Sequence, residues 1–389
     1  MDYSQIKSLI EKGETSTVQF KLNVHNEHGI AQEMVAFANS RGGKILIGID
    51  DKTWNIVGLA DEDLRRLANL LVNAANEHVK SPVFIETETF EIESKKILVV
   101  TIPEGIDKPY KDKDGIIFLK NGANKRKVTS NEEITRLLQS GGSLFADEME
   151  VPGTSINDID EIKFSVYFKK EFDKSFSEKG LNYEQALKAK RILRNNRITL
   201  AGLLFFGKEP QSIKPAFTVK FVSYFGNDIT GNTYRSKPGD LLGTIPEIFE
   251  KAMNFIGSSI DYLQTSESFN TKGKPEISLI AFEELLQNAL VHRDYFKNAP
   301  IRLMLFDNRI EIISPGKLPN SLTIEDIKYG NPVIRNNQIV AFSAHTLPYS
   351  GLGSGIKRAL EEQPDIELIN DIEGEQFKVI IPRPEKKRQ

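Results

Sequence analysis

The sequence predicts an α/β (α+β) protein in two units, and three observations carry that expectation. Helical and extended apolar periods alternate along nearly the whole chain, one extended run is apolar on both faces, and both periods vanish once, between 140 and 158. A break of that kind, rich in glycine, proline and acids, reads as a linker. It divides the chain into a first unit at 1–140, a linker at 141–158 and a second unit at 159–389.

In the first unit, Met34, Val35, Phe37 and Ala38 form an apolar helical stripe that ends at Arg41-Gly42-Gly43, where glycine accepts the left-handed cap conformation. Residues 44–50 follow as a nearly continuous apolar run, which suits a strand covered on both faces, and Asp50-Asp51-Lys52 supplies its turn. A helix over 61–79 and strands over 83–92, 96–102 and 116–120 come next. The unit closes with a helix from Ser130, with Glu133 placed for a capping box. The expected result is a mixed sheet with helices. In the second unit the periods predict two helices between 160 and 194, a strand at 216–225, and helices at 243–263 and 276–292. Strands at 300–306 and 309–314, a helix from about 354 and a hairpin at 365–381 complete it.

Composition narrows the function classes. A chain of 389 residues that is 39% hydrophobic is long enough for two or three domains with substantial cores. The absence of cysteine excludes disulfides, thiolate metal sites and cysteine nucleophiles. The start carries an acid where a signal peptide would be basic, and no apolar run approaches the ~20 residues of a membrane span, so a cytoplasmic protein without membrane attachment is expected. With 51 basic against 54 acidic side chains the net charge is -3, and nucleic-acid binding would have to come from a local patch.

The helix expected at 276–292 carries Glu284 and Asn288 four residues apart, which brings a carboxylate and a carboxamide onto one face. An amide oxygen is a hard ligand suited to Mg2+, and a carboxylate one turn away can take a proton from attacking water. Downstream, Gly351, Gly353 and Gly355 open a helix whose N-terminus can receive phosphate, with Lys357 within reach. Taken singly, the first pair is more often the wet face of a helix, and the glycines more often a flexible turn. His292 and Arg293 lie near the helix end, either beside phosphate or complementing the terminal carbonyls. Asp307-Asn308 suits a tight hairpin.

Asn288-Ala-Leu-Val-His292-Arg293-Asp294, the run from Asp307 to Pro319 and Gly351-Leu-Gly353-Ser-Gly355-Ile together resemble the ATP-binding domain of the GHKL group, in its divergent RecG-like, HATPase-type branch. The resemblance implies an α/β sandwich that binds ATP and Mg2+, with Glu284 as catalytic carboxylate and Asn288 as metal ligand. Where that superfamily has an Asp-x-Gly motif whose aspartate receives the adenine amino group, this chain has Ser314-Pro315-Gly316, and a neutral hydroxyl is the weaker acceptor.

Residues 14–21, the run from Ala36 to Asp51, Phe118 to Lys127 and Ser130 to Ile134 resemble the Schlafen AlbA-type domain, described as a DNA- or RNA-binding module. Its union with a GHKL-type domain resembles predicted bacterial transcriptional regulators, and both resemblances suggest a homodimer. Lys120, Lys125, Arg126 and Lys127 cluster around a glycine turn and are the first candidates for phosphate contacts, with Lys21, Arg41 and Lys44 behind them. The plain alternative is an ordinary charged loop. Trp54 either stacks on a base or covers a hairpin edge. In ribonuclease members, acids of this region form a metal site; the matching residues are Glu14, Asp50 and Asp51, with Gln19 in place of a second carboxylate, so metal-dependent cleavage ranks second. A third reading is an interaction protein whose GHKL domain no longer binds nucleotide. The leading expectation is a regulatory protein in which nucleotide state modulates nucleic-acid binding, with residues 315–349 as a lid.

Overall fold

A computed structural model describes residues 3–229, 233–263, 273–319, 322–330, 333–349, 351 and 353–384. The chain divides into two compact units, Met1–Leu144 and Phe145–Gln389.

The first unit holds a four-stranded sheet in the order Val18–Lys21, Gly43–Ile47, Lys95–Ile102, Glu86–Ile92. The first pair is parallel, so it needs a crossover, and the helix Glu27–Asn39 provides it. Asn26 caps this helix by accepting from the Gly29 N–H at 3.1 Å. Gly42 ends the connection at φ 69°, where a Cβ would sit 2.6 Å from the Glu104 nitrogen, so only glycine fits. Alternation then separates two cores. Ile45, Ile47, Leu98 and Val100 pack with Met34, Phe37 and Leu71, while Leu46, Ile97 and Val99 pack with Ile6 and Phe20. The run at 44–50 is apolar throughout because both of its faces are covered.

Asn39 is fully buried, and its carboxamide joins three backbone groups, donating to Tyr110 O and Phe118 O and accepting from Tyr110 N. It thereby fixes the start of the antiparallel hairpin Phe118–Asn121 and Asn124–Lys127 against the crossover helix.

The second unit is a helix layer on a six-stranded sheet. The strand order is Tyr234–Leu241, Val219–Tyr224, Ile301–Leu305, Arg309–Pro315, Gln376–Pro382, Glu367–Asp371, antiparallel except where Val219–Tyr224 meets Ile301–Leu305. The helices Ile245–Ser259 and Leu279–His292 lie within the crossover between those parallel strands. Leu303, Leu305, Ile310, Ile312, Val379 and Ile381 bury one sheet face in a single core with Leu285, Ala289 and Leu290 of the second helix. Asp307 serves the turn between two strands, accepting from Gly226 N at 2.9 Å and pairing with Arg235 at 2.7 Å.

Residues 145–158 depart from the linker expectation, because Ala146 and Val151 join the core of the second unit and the Val151 N–H donates to Ile198 O at 2.8 Å. The 3-10 turns Ala146–Glu148 and Ile156–Asp158 satisfy this stretch locally, leaving neither a helical nor a strand period to read. The helix Leu200–Phe206 was equally illegible, since all seven of its residues are buried. The strand Tyr234–Leu241 is an exposed edge interrupted by Pro238 and Gly239. No helix among the described residues is long and apolar enough to cross a membrane.

Candidate functional site

The helix Leu279–His292 is capped by Ser278, which accepts from the Ala281 N–H at 3.2 Å. One turn from its end, Asn288 Nδ2 donates to the Glu284 carbonyl at 2.7 Å. Only the nitrogen can make that bond, which leaves Asn288 Oδ1 as an acceptor that takes no hydrogen bond from any described residue. The glycine segment closes on this pair. A Cβ on Gly355 would lie 2.5 Å from Glu284 Oε2 and 3.0 Å from Asn288 Nδ2, so the approach requires glycine. The helix Gly355–Glu362 starts there, and Ser354 makes no side-chain cap bond to its first N–H groups. Gly351 and Gly353 both lie in the left-handed region, at φ 70° and 75°; Leu352 lies outside the described residues.

Beside this junction is an apolar pocket with a cavity volume of about 120 Å³, well above the ~10–15 Å³ that admits one water. Leu285, Ala289, Ile312, Ile327, Ile356 and Val379 form its walls, and its polar lining includes Asn288, His292, Ser314 and Arg335. Gly316 and Gly353 also line it. Ser314 ends the strand Arg309–Pro315, 6% exposed, and donates its hydroxyl to Ala289 O at 3.3 Å, which leaves its lone pairs for a ligand. Gly316 has φ 98°, and a side chain there would overlap Asp294. Arg335 donates to Lys317 O at 2.8 Å and so links two parts of the segment that covers the pocket. His292 hydrogen-bonds the Tyr349 hydroxyl at 2.9 Å. Burial, and secondarily the Arg335 charge, lower the pKa of His292 to about 4, so the ring is neutral near pH 7.

Three expectations are corrected by this geometry. Arg293 turns into the core, where it donates to Lys297 O and Ala299 O and lies 4.9 Å from the Phe217 and Tyr295 ring centres; it is no phosphate neighbour. Lys357 is exposed and faces Glu361 at 3.9 Å. The cation that reaches the asparagine helix is Arg358, in an ion pair with Glu284. Glu284 is 4% exposed and engaged by that pair, so it is not free to act as a base in this conformation. A helical wheel gives the reason: Arg358, three residues after Gly355, shares its face, whereas Lys357 points to the opposite side. The unclaimed Asn288 oxygen, the uncapped helix start and the apolar pocket ending at Ser314 fit Mg2+, phosphate and a planar base respectively.

In the first unit the basic hairpin is largely neutralised. Lys120 and Lys125 stand opposite each other in the ladder, and Glu33 lies between them at 3.5 Å and 2.8 Å. The Lys120 side chain is 1% exposed and lies 4.5 Å from the Phe37 ring centre; burial lowers its pKa while Glu33 pulls it back up. It also donates to Ala123 O at 2.6 Å and Gln19 Oε1 at 3.4 Å. Lys120 is therefore a structural cation rather than a phosphate contact. Arg126 pairs with Glu133 through both guanidinium nitrogens, and Lys44 donates to Thr101 Oγ1 at 2.8 Å. Lys21, Arg41 and Lys127 form no ion pair with a described residue, and Arg41 and Lys127 are exposed.

The acids proposed for cleavage do not converge. Glu14, Asp50 and Asp51 share no common metal-ligand distance; Glu14 accepts from Phe20 N at 2.8 Å, and Asp50 accepts from Lys52 N, Thr53 N and Thr53 Oγ1 within its own turn. Those bonds, led by the Thr53 N–H, hold the Asp50 pKa below its ordinary value. Trp54 packs its edge against Phe20 with ring centres 6.4 Å apart.

Comparison with known families finds three matches, one of which crosses the division between the units. Residues 14–129 match the family "Schlafen, AlbA_2", residues 298–381 match "Putative ATP-dependent DNA helicase recG C-terminal", and residues 136–221 match a domain of unknown function. The RecG match begins after Glu284 and Asn288 but includes Ser314 and the glycine segment. The DIP2311 protein from Corynebacterium diphtheriae is 18% identical with a TM-score of 0.45, over 98% of this chain and 80% of that one. The N-terminal domain of a RecG-related protein from Nitrosomonas europaea is 22% identical with a TM-score of 0.24, over 33% of this chain and 87% of that one. No curated protein matches. The chain thus joins a Schlafen AlbA_2 domain to a RecG-like C-terminal HATPase domain.

Proposed function

We propose that the second unit binds ATP with Mg2+, that the first unit binds DNA or RNA, and that nucleotide occupancy changes the affinity for nucleic acid. The observation that carries this reading is the junction at Gly355, where the glycine segment meets Glu284 and Asn288 at the mouth of a pocket lined by Ser314. In it, Asn288 holds the cation, the N–H groups from Gly355 onward receive phosphate, and the base lies toward Ser314. Bound Mg2+ supplies charge neutralisation at the phosphates. Turnover is slow because Glu284 must leave Arg358 before it can accept a proton from water.

Leu318, Leu322, Ile327 and Arg335 provide the coupling in this reading, since they line the pocket and would touch an occupant. On the nucleic-acid side, Arg41 and Lys127 make phosphate contacts. The setting is cytoplasmic and the assembly a homodimer. The test is titration of single- and double-stranded DNA and RNA with and without Mg-ATP, alongside calorimetry with ATP and a nonhydrolysable analogue. Equal nucleic-acid affinity in both conditions would sink the coupling, and absence of a heat of nucleotide binding would sink the site.

A further inference from the structure

A second cluster of ligand-type side chains lies in the first unit, made of residues with no part in the sites described above. His28 and Gln32 lie one turn apart on the helix Glu27–Asn39, facing Asp112 at the end of the strand Lys111–Asp112 and Asp114 in the turn after it. His28 Nε2, Asp112 Oδ2 and Asp114 Oδ2 all fall within 4.8 Å of one another.

One side-chain amide bridges two of these atoms. Gln32 Nε2 lies 3.1 Å from Asp112 Oδ2, and an ionised carboxylate only accepts, so the facing Gln32 atom is its NH2. The same nitrogen is 3.0 Å from His28 Nε2, so that ring nitrogen presents a lone pair and the ring proton sits on Nδ1. His28 Nε2 lies 3.5 Å from Asp114 Oδ2 and 3.8 Å from Asp112 Oδ2, beyond the usual hydrogen-bond length. His28 Nε2, Asp112 Oδ2 and Asp114 Oδ2 thus face one point, and the Gln32 NH2 group, which bridges the first two, would give way to an ion there. His28 Nδ1 is buried and has no hydrogen-bond partner.

The donors are also held in place before any ligand arrives. Asp112 is fully buried, and its other oxygen accepts from Asp114 N at 3.1 Å and Ile116 N at 2.8 Å, which orients the carboxylate. The Asp114 side chain is 57% exposed, so the site opens to solvent on that side. His78 lies alongside, its ring centre 6.2 Å from that of His28 and its Nε2 3.1 Å from Glu27 Oε2.

We propose that His28, Asp112 and Asp114 form a binding site for a divalent transition-metal ion, Zn2+ or Mn2+. One imidazole and two carboxylates favour these over Mg2+, with Zn2+ the tighter by the usual order of affinities, and the three ligands leave open positions for water or a phosphate oxygen. The ion would tie the crossover helix to the 111–116 turn, independently of the nucleotide pocket.

The test is titration of the full chain with ZnCl2 by calorimetry and with MnCl2 by electron paramagnetic resonance, with thermal unfolding recorded in parallel. One ion per chain is expected, with an upward shift of the first transition. Loss of a ligand should weaken binding at least ~10-fold, in His28→Gln, which keeps bulk, and in Asp114→Asn, which alters only an exposed turn. Absence of stoichiometric binding, or both ligand variants binding like the parent, would overturn the proposal.

Discussion

The basic hairpin of the first unit and the nucleotide pocket of the second are both clusters of polar side chains, yet folding treats them oppositely. In the hairpin, three of four adjacent cations are matched by acids from other elements: Lys120 and Lys125 by Glu33, Arg126 by Glu133. In the pocket, the Asn288 oxygen, the Ser314 lone pairs and a helix start remain available, because the groups around them have other partners or none of suitable shape. A run of charge in sequence says little about the field it presents, since folding brings counter-charges from afar. Spacing that converges on a cavity says more, since close approach demands particular residues, as at Gly355.

The contrast breaks most sharply at Asn288. Asn288→Ala removes the acceptor proposed for the cation while leaving the apolar walls, and it should weaken Mg-ATP binding by about 100-fold, ~3 kcal/mol. Calorimetry with and without Mg2+ checks this, and an unchanged affinity would place the phosphates elsewhere. The largest hairpin effect is on stability. Lys120→Ala leaves Glu33 buried with one partner fewer and empties the space over Phe37, a loss of about 3 kcal/mol on the scale of broken buried pairs. Urea unfolding of the first unit would show it. Removal of a cation that merely bound phosphate would leave stability near the parent value.

Lys127 provides the complementary case. It is exposed and has no ion pair among the described residues, so Lys127→Ala should leave stability unchanged, weaken nucleic-acid binding a few-fold, and reduce the slope of log affinity against log salt by about 1. Lys120→Ala should leave that slope alone if its fold survives. A reversed pattern, with Lys120 controlling the slope, would mean that the hairpin opens on binding.

The elements that were legible in sequence are those with a clean period. The strand Gly43–Ile47, the helix Leu279–His292 and the closing hairpin all fall where alternation or an apolar run places them. Asn288, Ser314, Gly316 and Gly353 were likewise readable and do line one pocket. What sequence hid was partnership over distance. Arg335 and Tyr349 reach the pocket or its histidine from a segment of short helices. Glu33 carries no signal in sequence, because its partners come from a hairpin some ninety residues away. Arg358 was recoverable, because helical phase alone places it on the face of Gly355 and Lys357 opposite. Asp147 sits in the stretch that read as linker, yet its Oδ2 accepts from Gln338 N at 2.7 Å and Ile339 N at 3.0 Å, capping the helix Asn337–Thr346.

The finest test of the pocket's surroundings comes from pH, because Asp147 and His292 respond to it in opposite senses. Burial raises the Asp147 pKa from 3.8 to about 6, so between those values the folded state holds a proton that the unfolded state has lost, and this group's contribution to stability falls as pH rises. Burial lowers the His292 pKa from 6.5 to about 4, so in that window the unfolded state holds the extra proton and the contribution rises with pH. The two slopes nearly cancel between about pH 4 and 6. Asp147→Asn removes the falling one. Relative to the parent, its stability should climb with pH across that interval by up to ~1.4 kcal/mol per unit. His292→Gln, which can still reach Tyr349, should shift the other way over the same interval and up to pH 6.5. Denaturant midpoints at pH 4.5, 5.5 and 6.5 measure both differences, and parallel curves for parent and variants would show that neither group is buried in solution as the fold places it.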